Sequence, residues 1–217
     1  MSGNSVIFVY LIDAMKKSNY LIVYLIVLLA SCVGSVPNSP YVYNTNPSYR
    51  WGYAEFFGNY YPNIPNTNVI SLSLFSDSLK INSIGNLTGT GQYIFLEDIF
   101  VSKKDTFLPT GTYYIRNSSL PNSVAPGLKD TVDNQVFMIG ATISYFEGNP
   151  DMSVQKLITD GYFTVSKSAE KYLIFFYLKT SDKKDLKGSF TATIPHIDQS
   201  LNTPKSMPRK RLVYSAK

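Results

Sequence analysis

Apolar and polar positions fall into two regimes along the 217-residue chain. From Tyr20 to Ala30 every position is apolar or aromatic, in the run YLIVYLIVLLA. Beyond Trp51 the apolar residues regroup into short runs rich in Val, Ile, Phe, Tyr and Thr. Gly, Pro, Asn and Asp separate these runs, which is the pattern of strands and turns. Eight main strands are predicted, over 68–76, 78–84, 90–101, 111–117, 135–147, 156–167, 171–180 and 186–194. No stretch of helical period intervenes. The pattern therefore predicts an all-β domain over 51–198, an antiparallel β-sandwich or a flattened calycin-like barrel of about eight strands.

The predicted strands differ in kind. KYLIFFYLK (171–179) is apolar on both alternating faces, so it is expected in a central position with both faces covered. Gly188 is expected to mark a bulge. The last three strands are expected to form a meander with two tight turns. The segment 118–134, with two prolines and a glycine, is predicted to be a loop. The segment 51–67 carries six aromatics, Trp51, Tyr53, Phe56, Phe57, Tyr60 and Tyr61, and predicts a short helix or edge strand over 53–57.

The apolar run upstream has a different logic. Met15-Lys16-Lys17 forms a basic head, and the run ends at Leu29-Ala30-Ser31-Cys32. A charged head, a short apolar run and small residues before a cut make a secretory signal, and the run is shorter than the roughly 20 apolar residues of a spanning helix. Leu29-Ala30-Ser31-Cys32 resembles a bacterial lipobox. That resemblance implies a lipid on the thiol of Cys32, the only cysteine, and cleavage between Ser31 and Cys32. The signal helix is then expected over 15–31, and residues 1–14 are expected to be a start-site overextension. Val33 follows the cysteine where an Asp would signal inner-membrane retention, so an outer-membrane location is expected, facing either the periplasm or the outside. Residues 32–50, with three prolines and three asparagines, read as a tether, with tyrosines at 41, 43 and 49 predicting that part of it docks.

Charge narrows the partners. The whole chain carries 20 Lys and Arg against 15 Asp and Glu. Removing residues 1–31 takes away Lys16, Lys17 and Asp13, leaving 18 against 14, a net of +4. Five of those cations lie in the tail, at Lys205, Arg209, Lys210, Arg211 and Lys217, so the rest of the mature chain balances at 13 − 14 = −1. The segment 199–217 is expected to be a basic flexible tail. Such a body does not predict a nucleic-acid partner. The expected partners are the membrane, through the lipid, and a glycan or protein ligand.

The order YAEFFGNYY, ISLSLFSDSL, GTGQYIFLEDIF, LPTGTYYI and LITDGYFTVSKSAEKYLIFFYLKTSDKKDLKGSFTATI resembles a large group of secreted Bacteroidetes-type lipoproteins. The matching points are Gly58, Gly111-Thr112-Tyr113, Gly161, Val165, Gly188 and Phe190, and the likeness covers most of 53–194. It implies an all-β fold and an envelope location, not an activity. Asp77-Ser78-Leu79 and Asp130-Thr131-Val132 match the Asp-Ser/Thr-apolar pattern of O-glycosylation in that phylum, which makes Ser78 and Thr131 candidate sites.

Catalytic chemistry finds little support. The lone histidine, His196, is expected on the surface. No nucleophile elbow, phosphate loop or zinc spacing occurs, and no cofactor or metal is predicted. Glu97 and Asp98 are adjacent on a strand and are expected on opposite faces. Glu147 and Asp151 flank a turn and are expected to be solvated. Binding is the remaining candidate. Trp51, Tyr53, Tyr60 and Tyr61, beside Asn59, Asn63 and Asn66, form a candidate ligand platform, although core-edge packing explains the same rings. Of Tyr113 and Tyr114, one is expected to be exposed. The leading expectation is a non-catalytic lipoprotein with a binding or scaffolding β domain. The alternative is a subunit or accessory of a surface filament, pilin-like, processed at Arg50-Trp51.

Overall fold

A computed structural model describes residues 43–132, 135–148 and 154–201. Residues 1–14, the signal segment 15–31 with its expected helix, and the tail from 202 lie outside the described residues. The described chain contains fifteen strands and no helix. They are β1 (Ser48–Tyr49), β2 (Trp51–Gly58), β3 (Thr67–Phe75), β4 (Leu79–Ile81), β5 (Leu87–Ser102), β6 (Gly111–Ile115), β7 (Ser123–Val124), β8 (Leu128–Val132), β9 (Gln135–Ile139), β10 (Thr142–Glu147), β11 (Val154–Ser168), β12 (Lys171–Thr180), β13 (Asp185–Leu186), β14 (Ser189–Ala192) and β15 (His196–Asp198). The all-β prediction holds. Several predicted boundaries do not. The segment 51–58 is a full strand rather than a short helix, and it is not an edge, since β15 lies outside it. The segment 135–147 is cut in two at Gly140, whose φ of 79° turns the chain away from β9. The loop 118–134 contains β7 and the whole of β8.

Thirteen strands form one sheet, in the order β1-β14-β12-β11-β6-β7-β5-β3-β2-β15, with β10 bridging β5 and β11; β8 and β9 pair as a separate hairpin. The long pairings are antiparallel, including the predicted meander β11-β12-β14. Three short ones are parallel, β1–β14, β15–β2 and β6–β7. The first two have one cause. The chain passes from one end of the ladder to the other twice, through Arg50 from β1 into β2 and through residues 193–195 from β14 into β15. Both passages run in the same sense, so β1 lies parallel to β14 and β15 parallel to β2. One apolar core joins the two halves, taking Ile70, Leu72, Leu74, Ile94 and Leu96 from β3 and β5, and Phe163, Ile174, Phe176, Leu178 and Phe190 from β11, β12 and β14. Each fully buried side chain of this size contributes about 1.5–3 kcal/mol.

The domain starts earlier than the tether boundary at 50 predicts. Tyr43 and Tyr49 are both buried in the core cluster, as their aromatic character suggested. The Tyr43 hydroxyl donates to Asp182 Oδ1 at 2.7 Å and lies 2.8 Å from Thr180 Oγ1. Burial and the neighbouring Asp182 carboxylate push the Tyr43 phenol up to about 12. Backbone hydrogen bonds from Lys187 to Thr45 and from Ser189 to Pro47 lay this segment along the free side of β14. β13 and β14 keep one register against β12, and the Gly188 carbonyl accepts the Phe176 N–H at 2.8 Å, so the ladder runs through Gly188 without the bulge expected there.

His196 is not the surface residue the sequence suggests. It is half-buried between Phe107, at 4.8 Å between rings, and Tyr172, at 6.0 Å. Its Nδ1 is 3.0 Å from the Ile194 carbonyl, which only accepts, and its Nε2 receives the Leu108 N–H at 3.4 Å. The two contacts specify the neutral ring with its proton on Nδ1. Burial holds the His196 pKa below its ordinary 6.5, against the opposing pull of the Ile194 carbonyl. A lowered folded-state value means the unfolded chain binds this proton more readily. The contribution is therefore complete above pH 6.5 and lost as pH falls through the folded value.

Two predictions follow from this architecture. Melting curves between pH 7.5 and pH 5 will show an acid-side loss of stability that is smaller in His196→Gln, which carries no titrating ring. Gly161→Ala will lower stability by at least about 1–2 kcal/mol in chemical denaturation. The reason is its φ of 109° beside the Tyr177 carbonyl, against which a methyl group would collide.

Candidate functional site

The strands β6, β11 and β12 carry aromatic doublets at matched positions. The inner members are Tyr113, Phe163 and Phe176, paired directly across the three strands. All three are buried. Tyr113 and Phe163 stack with centroids 5.0 Å apart and planes 8° apart, and Phe163 meets Phe176 at 5.7 Å. The Tyr113 hydroxyl donates to the Pro109 carbonyl at 2.9 Å, and burial, with Asp105 nearby, raises its pKa.

Because successive side chains of a strand alternate faces, the other member of each doublet points outward. Tyr114, Tyr162 and Tyr177 form a second cross-strand ladder on the outer face, 47 %, 38 % and 46 % exposed. Tyr162 and Tyr177 stack at 5.1 Å and 21°, and Tyr114 meets Tyr162 at 6.1 Å. At these spacings the rings stand against one another and present their edges and hydroxyls outward. Among the described residues none of the three hydroxyls bonds to another group of the chain. Phe175, 47 % exposed, adds an apolar ring two positions from Tyr177 on β12. The Arg116 guanidinium lies 5.6 Å over the Tyr114 ring and caps one end of the ladder. Lys171 and Lys179 are exposed on the same outward register of β12 as Phe175 and Tyr177, and Asp160 is paired opposite Lys179.

This corrects the expectation for 171–179. Its inner face is buried, but its outer face is open, and the open aromatics make the site. The strand that alternates most cleanly between apolar residue and serine, β3, is the one buried on both faces throughout.

The predicted platform does not come together. Trp51 and Tyr53 pack with Phe75, Leu79, Tyr93 and Phe146. Trp51 stacks on Phe75 at 4.2 Å and 11°, and its indole N–H donates to the Leu79 carbonyl at 2.7 Å. Tyr60 and Tyr61 belong to a different cluster with Val69, Phe100 and Ala125. Both pairs are half-buried packing residues, as the core-edge explanation has it. Between the clusters lies a polar strip. The register of β3 against β5 shifts between Ile70 and Leu72, so Glu97 and Asp98 together oppose Ser71. This bulge overrides the alternation that predicts opposite faces, and both carboxylates are buried. Glu97 accepts the Gly140 N–H at 2.8 Å and Asp98 the Tyr61 hydroxyl at 2.8 Å, while Ser71 donates to Glu55 at 3.2 Å.

Of the candidate O-glycosylation sites, Thr131 is exposed on β8, whereas the Ser78 hydroxyl is committed to the Thr90 carbonyl. Glu147 is exposed at the end of β10; Asp151, like Ser31 and Cys32, lies outside the described residues. Among the described residues no three His, Cys, Asp or Glu side chains gather to hold a metal ion, and no helix is long and apolar enough to cross a membrane.

Comparison with known protein families, curated proteins and solved structures returns no match. The ladder therefore rests on its own geometry. Sequence reasoning reached Tyr114 and missed Tyr162, Tyr177 and Phe175. The available signal was the set of doublets Tyr113-Tyr114, Tyr162-Phe163 and Phe176-Tyr177, each of which puts one ring on each face.

The two ladders separate in a mutational test. Tyr113→Ala will cost about 3–5 kcal/mol in urea denaturation, as a buried aromatic truncation does. Tyr162→Ala will cost about 1 kcal/mol or less, the worth of an exposed cross-strand pair.

Proposed function

We propose that this protein is a lipid-anchored outer-membrane lipoprotein whose β domain is a non-catalytic binding module, with the Tyr114–Tyr162–Tyr177 ladder and Phe175 as its binding surface. The observation that carries the reading is the exposure of four aromatic rings on the middle of a sheet whose opposite face is core. Large aromatics left in water on rigid strands are costly surface for a monomer to keep, and tyrosine supplies contact area and hydrogen bonding with little side-chain entropy to lose. The lipobox-like Leu29-Ala30-Ser31-Cys32 and the resemblance to secreted lipoproteins support the address. Residues 33–42 separate the acylated Cys32 of this reading from the docked Tyr43, a length that lets the domain work away from the bilayer.

A second reading, an anchored pilin-like filament subunit, is favoured by Arg50. Its side chain is exposed at the join of β1 and β2, where a trypsin-like cut would detach the segment lying along β14.

Mass spectrometry of the protein purified from its native membrane tests both. A triacylated chain beginning at Cys32, with Cys32→Ala unprocessed or released from the membrane, is the expected result. A mature chain beginning at Trp51 would move the filament reading ahead, and an unmodified Cys32 in the membrane fraction would sink the anchor.

A further inference from the structure

We infer that the outer tyrosine ladder takes an anionic polysaccharide, a chain of sugar rings bearing carboxylates or sulfates. This rests on the binding-module reading and names its ligand class. The surface has three chemistries in fixed order. Phe175 offers an apolar face of the kind on which the C–H side of a sugar ring stacks. The phenol hydroxyls of Tyr114, Tyr162 and Tyr177, with Thr112 and Thr164 on the same outward register, offer donors and acceptors to sugar hydroxyls. Around them stand Arg116, Lys171, Lys179 and Lys187, against the carboxylates of Asp160 and Asp185, which are paired on either side of Lys179. The mature body outside the tail balances near −1, so an excess of four cations to two acids beside the exposed rings is local rather than general. A neutral glycan would make no use of that excess, whereas carboxylates or sulfates would pair with it.

The arrangement is also linear. The three tyrosines run across three strands at successive centroid spacings of 6.1 and 5.1 Å, and Arg116 and Lys179 lie towards opposite ends. A linear polymer laid across the strands meets a ring or a hydroxyl at each strand and a cation at each end. Aromatic rings with cations also suit single-stranded nucleic acid, but the address that Cys32 implies puts this face among envelope polysaccharides.

The test measures binding of the detergent-extracted mature protein to immobilised polygalacturonate, with neutral dextran and a single-stranded oligothymidylate as competitors of other chemistry. The expected result is binding to polygalacturonate that dextran and oligothymidylate do not displace, weakened about tenfold or more in Tyr162→Ala/Tyr177→Ala. Lys171→Gln/Lys179→Gln, which leaves the rings untouched, is expected to weaken it similarly and to flatten its dependence on salt. Unchanged melting temperature of the lysine variant keeps the result interpretable if the tyrosine variant folds poorly. Binding that survives both variants belongs to the basic tail and overturns the inference. Preference for dextran or oligothymidylate through the same rings also overturns it, while leaving the binding module standing. Absence of any ladder-dependent binding to all three overturns both.

Discussion

The register of β6, β11 and β12 is the constraint on which the domain turns. Each strand brings two adjacent aromatics to the same level, one for each face of the sheet. In the observed register Tyr113, Phe163 and Phe176 meet inside while Tyr114, Tyr162 and Tyr177 meet outside. A slip of one residue would exchange the sets, burying phenols without partners and exposing the phenylalanines. The β11 bulge between Ile158 and Asp160 and the left-handed Gly161 precede the doublet and set its phase against β12. Tyr49 extends the inner column, meeting Phe176 edge-on at 5.9 Å, so the amino-terminal segment reports on the same register.

The second constraint is the way the ladder ends. β1 and β15 are short, and the two ends of the ladder lie together, since the single residue Arg50 joins β1 at one end to β2 at the other. The chain covers these ends with its own passages. Tyr43 ties the amino-terminal segment to Thr180 and Asp182 at the end of β12, and His196 wedges between Tyr172 and Phe107. Desolvation opposes the charge on Asp182, yet hydrogen bonds from Thr180 and Tyr43 outweigh it and hold its carboxyl below the usual range. Both clamps are polar contacts at the margin of an apolar core, where a partner lost is a desolvated group left unpaired.

Strand existence was legible in the sequence because β-branched and aromatic runs alternate with turn residues, and the meander β11-β12-β14 follows directly from that punctuation. Which faces are covered was not legible. The serines of β3 suggest a solvated face, yet Ser71 and Ser73 are both buried, Ser71 donating to Glu55. The apolar outer face of β12 suggests a cover that none of the described residues supplies. Periodicity reports how a strand is built, while burial depends on what the rest of the chain lays over it. The bulge at Glu97-Asp98 shows the same limit at shorter range, since one extra residue turns two alternating carboxylates onto one buried strip.

The outer ladder looks like a surplus of apolar surface on a domain that has already filled its core, and its arrangement gives that surplus a consequence. The rings are braced against each other, and their strands are braced from beneath by the inner column. A partner that meets Tyr114, Tyr162 and Tyr177 therefore has less disorder to remove from them, since Tyr177 stacks on Tyr162, Tyr114 leans against it, and Arg116 lies over Tyr114. Flexible loops could present the same residues only at a larger entropic cost. The inner ladder thus does two jobs with one set of contacts. It holds the sheet together, and by fixing register it fixes the spacing of the outward rings. A substitution that loosens the core at Phe163 would be felt on the outside as a ladder out of step, even where the domain still folds.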